Sequence, residues 1–255
     1  MELLRHLLAH PLTRGLDLDD PRTTALRRKV IESKPFLLRI YQDWYRWLNQ
    51  QVPAGLGAVV ELGAGAGFLR EYIPGLMATD VLYLPGIDCV LNGERLPFED
   101  DALKAIVMSN VLHHMPHVRH FFAEAQRCLR PGGVVAMIEP WMTPWSRFVY
   151  ATMHHEPCDP RSVEWEFPSS GPLSSANEAL PWICLQRDRS TFDKAFPELS
   201  IETIEPIMPL RYMMSGGIAM RNLLPAWSYG PLGLFEQVWP INRGALFARL
   251  LLRRR

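Results

Sequence analysis

Three groups of residues in this 255-residue chain have types and spacings suited to chemistry. The first is the glycine loop Gly63-Ala64-Gly65-Ala66-Gly67, placed directly after the apolar run Ala58-Val59-Val60-Glu61-Leu62. A glycine loop between a strand and a helix lets the backbone approach a ligand closely and aims its N–H groups at it. The second is Ser109-Asn110-Val111-Leu112-His113-His114-Met115, which follows another apolar run. Histidine is the side chain best suited to accept a proton near neutral pH, and strand ends build ligand crevices in parallel sheets. The third is His154-His155-Glu156-Pro157-Cys158-Asp159. Its residue types all ligate metals, but no paired-ligand spacing is recognisable, so no metal is expected there. His117 and His120 lie three apart on one helix and read as surface residues.

The elements that must position these groups follow from the hydrophobic pattern. Residues 21–50 read as helical, with Leu37, Tyr41, Trp44 and Leu48 on one stripe. Pro35 either starts a second helix there or kinks the first. Short apolar strands are expected at 58–62, 76–81, 87–91, 105–109 and 134–138. A brief helix is expected at 68–73 and a longer one at 117–130, stopped by Pro131-Gly132-Gly133. Strands alternating with helices imply an α/β fold with a mostly parallel sheet covered on both faces. Further strands are expected at 199–206 and, as a central strand, at 245–252. The stretch from Trp141 to about Pro197 shows no period. The Ser215-Gly216-Gly217 group reads as a turn.

Two ligand classes compete for the glycine loop. Dinucleotide sites place a third glycine three residues after the second. Here that position is Phe68, and the third glycine comes early, at Gly67. The run Glu61-Leu62-Gly63-Ala64-Gly65-Ala66-Gly67-Phe68 resembles the first motif of class I S-adenosylmethionine-dependent methyltransferases. Other segments agree in order and spacing: Asp80 at the end of the second strand, Asn92-Gly93 to Asp100, Ser109 to Met115, and Cys128-Leu129-Arg130-Pro131-Gly132-Gly133. The match covers residues 58–140 and looks like the methyltransferase type 11 group, near the quinone-biosynthesis branch.

The resemblance implies a Rossmann-like seven-stranded, mostly parallel sheet with helices on both faces, an antiparallel last strand and a helical N-terminal extension. It implies S-adenosyl-L-methionine as cofactor, held by Glu61, Gly63, Ala64, Gly65, Gly67, Phe68, Asp80, Val81, Asn92, Gly93, Asn110 and Val111. Many members of the family carry Asp where this chain has Asn92. By the same reading the chain is one domain: an extension at 1–57, the cofactor core at 58–140, an irregular acceptor-side insertion at 141–200 and sheet completion at 201–255.

The expected reaction is in-line methyl transfer to a small-molecule, sugar or lipid acceptor. A base is needed only where the acceptor carries a proton that must leave. His114, His154 and His155 are the catalytic candidates. The tryptophans and methionines after residue 141 could line a pocket for an apolar acceptor, or could simply be core. A non-catalytic relative of the fold and a nicotinamide-dependent oxidoreductase are the competing readings.

Composition sets outer bounds. Lys plus Arg and Asp plus Glu both number 27, so no broad positive field steers the chain toward nucleic acid. The 48% hydrophobic share suits a packed core. Cys89, Cys128, Cys158 and Cys184 lack paired spacing and read as reduced thiols. No run reaches the roughly 18 apolar residues of a membrane span. A cytoplasmic protein is expected, with peripheral membrane contact left open. The run Arg253-Arg254-Arg255 reads as a solvated tail.

Overall fold

The computed structural model describes residues 21–65, 67–153, 156–169, 171 and 175–255. Its centre is a seven-stranded sheet in the order β3-β2-β1-β4-β5-β7-β6. The strands are β1 (Ala58–Glu61), β2 (Leu76–Asp80), β3 (Cys89–Val90), β4 (Leu103–Ser109), β5 (Leu129–Pro140), β6 (Leu199–Ile207) and β7 (Phe247–Arg254). The first five run parallel. β7 lies antiparallel between β5 and β6, pairing Ala136 with Leu251 on one side and Ile204 with Leu250 on the other. The expected antiparallel last strand and its central position are both found.

The strands are apolar on both faces because both faces are covered. Ala105, Val107, Val134, Ala136 and Ile138 point into one core. Their alternate neighbours Ile106, Met108, Val135 and Met137 point into the other. This is the period of two of an extended chain. The first face is covered by helix α2 (Pro35–Gln51), which buries Phe36, Leu37, Ile40, Tyr41, Trp44, Tyr45 and Leu48. Pro35 is its first residue, where proline's missing N–H costs nothing. The preceding helix, α1 (Pro21–Ser33), ends at the buried Lys34, whose ammonium donates to the carbonyls of Gly217 and Met220. The second face is covered by α3 (Val118–Cys128) through Val118, Phe121, Phe122, Ala125 and Cys128.

Some local expectations differ from the structure. Segment 141–200 is not irregular throughout. It contains α4 (Pro144–Met153), a turn at Leu180–Trp182 continuing into a wide helical turn at Ile183–Arg187, and α5 (Arg189–Ala195). Its prolines interrupt the sequence period without preventing short helices. The brief helix after the glycine loop is a single turn, Leu69–Glu71. The arginine run at the C-terminus is not a free tail. Arg253 and Arg254 belong to β7 and pair with Glu202 at 2.6 Å and Glu198 at 2.7 Å. No helix among the described residues is long and apolar enough to cross a membrane.

Candidate functional site

Parallel order from β3 to β5 brings the C-terminal ends of β1, β2 and β4 side by side, and the loops that leave them form one crevice edge. The β1 loop turns sharply: Gly63 has φ +63° and Gly65 φ +50°, a region that favours glycine. Close packing adds a second constraint. A Cβ on Gly63 would lie 2.4 Å from Val111 Cγ2. One on Gly67 would lie 2.8 Å from both the Ala64 carbonyl and the Tyr45 hydroxyl. The loop is tied to β2 at two points. Ala64 N–H donates to the Thr79 carbonyl at 2.8 Å, and Gly65 N–H donates to Asp80 Oδ2 at 2.9 Å. Asp80 Oδ1 also accepts from Leu82 N–H at 2.9 Å.

Two buried carboxyls stand at this edge. Glu61 is 4% exposed and Asp80 6% exposed, and among the described residues neither makes an ion pair. Burial pushes the Glu61 pKa up to about 8, opposed by the Arg70 charge. Burial also raises that of Asp80, opposed by the N–H groups of Leu82 and Gly65. From α1, Thr24 comes over the loop. Its Cγ2 would lie 3.7 Å from a Cβ on Gly65, and its buried Oγ1 has no hydrogen-bond partner. These groups suit a ligand that carries both cationic and hydroxyl groups.

The remaining expected cofactor residues are placed as follows. Phe68 is buried among Tyr41, Tyr45 and Tyr72, under the loop rather than on its open side. Val81 is exposed. Asn92 is exposed, and its Oδ1 accepts from Glu94 N–H at 2.8 Å, closing a turn. A Cβ on Gly93 would meet Met115 Cε at 2.9 Å, so glycine permits that approach. Asn110 takes φ +58° at the end of β4 and donates its N–H to the Ile138 carbonyl. Val111 follows, with its side chain against Gly63.

The histidines after β4 belong to a second, adjoining cluster. Its anchor is Glu139, fully buried at the end of β5. Glu139 Oε1 accepts from Val111 N–H at 2.8 Å and Leu112 N–H at 2.9 Å, and its Oε2 lies 2.8 Å from His113 Nδ1. His114 Nδ1 lies 3.0 Å from the Ser175 carbonyl. The other nitrogens of both rings face Glu156. His113 Nε2 is 3.5 Å and His114 Nε2 3.9 Å from the same oxygen, Oε2. Glu178, 2% exposed, borders the group.

Burial alone would lower the His113 pKa, but Glu178, Glu139 and Glu156 raise it well above the ordinary imidazole value. Burial and then the neighbouring His113 charge lower that of His114 to about 4. Burial opposes ionisation of Glu156, yet the His113 contact holds it below the usual carboxyl range. Burial raises Glu178 well above that range.

The structure therefore joins His114 to Glu156, two residues that the sequence placed in separate candidate groups. His154 and His155 lie outside the described residues. The sequence reading did not single out Glu139 or Glu178. Glu139 had a signal, an acid closing the apolar run Val134–Ile138. Glu178 had none, because only the tertiary fold brings it here.

Comparison with known proteins agrees with this architecture. Residues 60–137 match the methyltransferase domain family. A stretch of 51 residues is 45% identical to the phthiotriol/phenolphthiotriol dimycocerosates methyltransferase of Mycobacterium tuberculosis, covering 20% of this chain and 19% of that protein. The enzyme of the same name from Mycobacterium leprae is 39% identical over 54 residues, 21% of this chain and 20% of that protein. The chain thus spans about a fifth of the length of the curated relatives it matches. Among solved structures, a Haloferax volcanii putative methyltransferase in complex with the Trm112 methyltransferase activator superposes with a TM-score of 0.53 at 16% identity, covering 93% of this chain and 97% of that one. Geranyl diphosphate C-methyltransferase from Streptomyces coelicolor superposes with a TM-score of 0.50 at 16% identity, covering 97% and 92%.

Proposed function

We propose, from the premise that this chain has the class I methyltransferase fold and carries the methyltransferase domain at residues 60–137, that it transfers a methyl group from S-adenosyl-L-methionine to a small-molecule or lipid-type acceptor. The observation that carries the reading is the junction of β1, β2 and β4. There a glycine loop that tolerates no Cβ at Gly63 or Gly67 stands beside two buried carboxyls without ion-pair partners among the described residues.

The donor set fits the cofactor. Glu61 and Asp80 offer carboxyl oxygens to its cationic and hydroxyl groups, and Gly63, Ala64, Gly65 and Gly67 let backbone come close. Asn110 and Val111 form the facing wall, and Phe68 supports the loop from beneath. Asn92 and Gly93 complete the reading on the adenine side by resemblance to the family. When bound, the cofactor supplies an electrophilic methyl group on sulfonium sulfur.

The chain's own contribution is placement. Alignment of donor and acceptor alone can correspond to effective molarities of about 10⁵ M or more. His114, on the turn that leaves β4, is the acceptor-side candidate of this reading. His154 and His155 are retained as acceptor-side candidates on sequence grounds. A lipid-type acceptor is favoured by the mycobacterial relatives named as phthiotriol/phenolphthiotriol dimycocerosates methyltransferases. Exposed apolar side chains on and near α6 (Tyr229–Val238), namely Trp227, Leu234, Phe235 and Val238, support the same choice.

The test is calorimetric titration with S-adenosylmethionine, followed by transfer of a labelled methyl group to a panel of lipid, polyketide and sugar acceptors. Saturable binding together with transfer supports the proposal. Absence of binding at millimolar cofactor removes it. Binding without transfer across the panel favours the non-catalytic reading.

A further inference from the structure

The cluster beyond the glycine loop has a geometry that methyl transfer does not require. One nitrogen of His113, one of His114 and a carboxylate oxygen of Glu156 all lie within 4.8 Å of one another. The two imidazoles stack with centroids 4.2 Å apart. Each ring is fixed through Nδ1, His113 by Glu139 and His114 by the Ser175 carbonyl. That leaves both Nε2 atoms directed at one oxygen, at 3.5 and 3.9 Å.

Hydrogen bonds of this kind centre near 2.9 Å, so 3.5 Å is at their outer limit and 3.9 Å is beyond it. The spacing suits another arrangement. Ligands about 2.0–2.1 Å from a tetrahedral cation are roughly 3.3–3.4 Å from each other. Contraction by a few tenths of an ångström would bring both pairs to that edge. A histidine that ligates through one nitrogen almost always gives the other to a carboxylate or backbone carbonyl. Both arrangements are present here. Glu139 is itself fixed by two backbone N–H groups, so the orienting shell is rigid.

We infer that His113 Nε2, His114 Nε2 and Glu156 form a binding site for a first-row divalent transition cation, with Zn²⁺ its leading member. Two imidazoles and one carboxylate are a known ligand set for such ions, whereas Mg²⁺ and Ca²⁺ prefer all-oxygen sites. Glu178, hydrogen-bonded to Glu156, places a further oxygen at hand. The ion would join the turn after β4 to a segment more than forty residues later, fastening the 141–200 insertion to the sheet edge. The inference does not depend on the methyl-transfer reading.

The experiment uses the full chain stripped with a chelator and titrated with Zn²⁺, Co²⁺ and Mg²⁺ separately. The expected result is one equivalent of Zn²⁺ bound with a Kd of about 1 µM or tighter, and no matching Mg²⁺ site. Co²⁺ should give the visible absorption of a nitrogen- and oxygen-ligated tetrahedral ion. At about 100 times Kd, Zn²⁺ should raise the melting temperature by roughly 5–10 °C. His114→Ala and Glu156→Gln should each weaken binding at least about 100-fold, and Glu139→Gln about 10–100-fold. His120→Ala, on the exposed face of α3, should leave the tight site unchanged. Should one ligand variant fail to fold, the other variant and the wild-type cobalt spectrum still decide. No Zn²⁺ bound by the wild type at 10 µM, or ligand variants that bind like the wild type, would overturn the inference. S-adenosylmethionine binding measured on the same samples keeps failure here separate from failure of the proposed function.

Discussion

Glu61 offers a perturbation whose size follows from its surroundings. Its carboxyl is 4% exposed at the end of β1, and burial pushes its pKa from 4.5 to about 8. Between those values the unfolded chain loses this proton while the folded chain keeps it. The folded state therefore binds more protons, and stability must fall as pH rises through this window. Below about 4.5 both states are protonated and the penalty vanishes; above about 8 both are ionised and it is complete. Each pH unit is worth about 1.4 kcal/mol, so between pH 5 and pH 8 the loss from this one group is of the order of 3–4 kcal/mol. Glu61→Gln keeps the shape and removes the titration. Urea unfolding of ligand-free wild type and variant at pH 5, 6, 7 and 8 gives the difference directly, because other titrating groups largely cancel in it. The variant should gain on the wild type steadily as pH rises. Parallel stability curves across that range would refute the reasoning.

Other outcomes follow from the same site and its support. Gly63→Ala should abolish measurable cofactor binding, since its Cβ would lie 2.4 Å from Val111 Cγ2. Adding Val111→Ala should restore binding only in part, because the positive φ still costs about 1 kcal/mol or more, as calorimetry can show. Asp80→Ala removes the acceptor of the Gly65 and Leu82 N–H groups and should weaken cofactor binding about 10–100-fold; a change under twofold would count against the site. Trp44, fully buried and stacked on Tyr212, anchors α2. Trp44→Ala should cost about 3–5 kcal/mol in urea unfolding. Trp44→Phe should cost much less, because the indole Nε1 has no hydrogen-bond partner to lose.

The sheet was legible because its strands carry their signal locally. Val134 to Ile138 is apolar on both faces, and that alone implies burial between two helical layers. The glycine loop was legible for a related reason: φ-positive turns and Cβ-free approaches leave glycine in the sequence. The second cluster was not legible. His113 and His114 follow β4, Glu139 ends β5, and Glu156 and Glu178 come from segment 141–200, so no spacing along the chain records their meeting. The sequence grouped Glu156 with His154 and His155, its neighbours along the chain. The fold instead turns it toward His113 and His114. Two of the short helices of 141–200 were hidden by prolines in their first turns, Pro144 and Pro181, which read as breaks but are tolerated there. Phe68 occupies the position where a dinucleotide loop would carry glycine, and its burial among three tyrosines accounts for an aromatic residue there.

The central claim is that the β1–β2–β4 junction holds S-adenosylmethionine for methyl transfer. Titration of wild type and Asp80→Ala with S-adenosylmethionine, with NAD as the competing ligand class, tests it most directly. The account predicts saturable one-to-one binding of S-adenosylmethionine to the wild type, a marked loss in the variant and no NAD binding. Binding of NAD without S-adenosylmethionine, or equal S-adenosylmethionine affinity in both proteins, would contradict it.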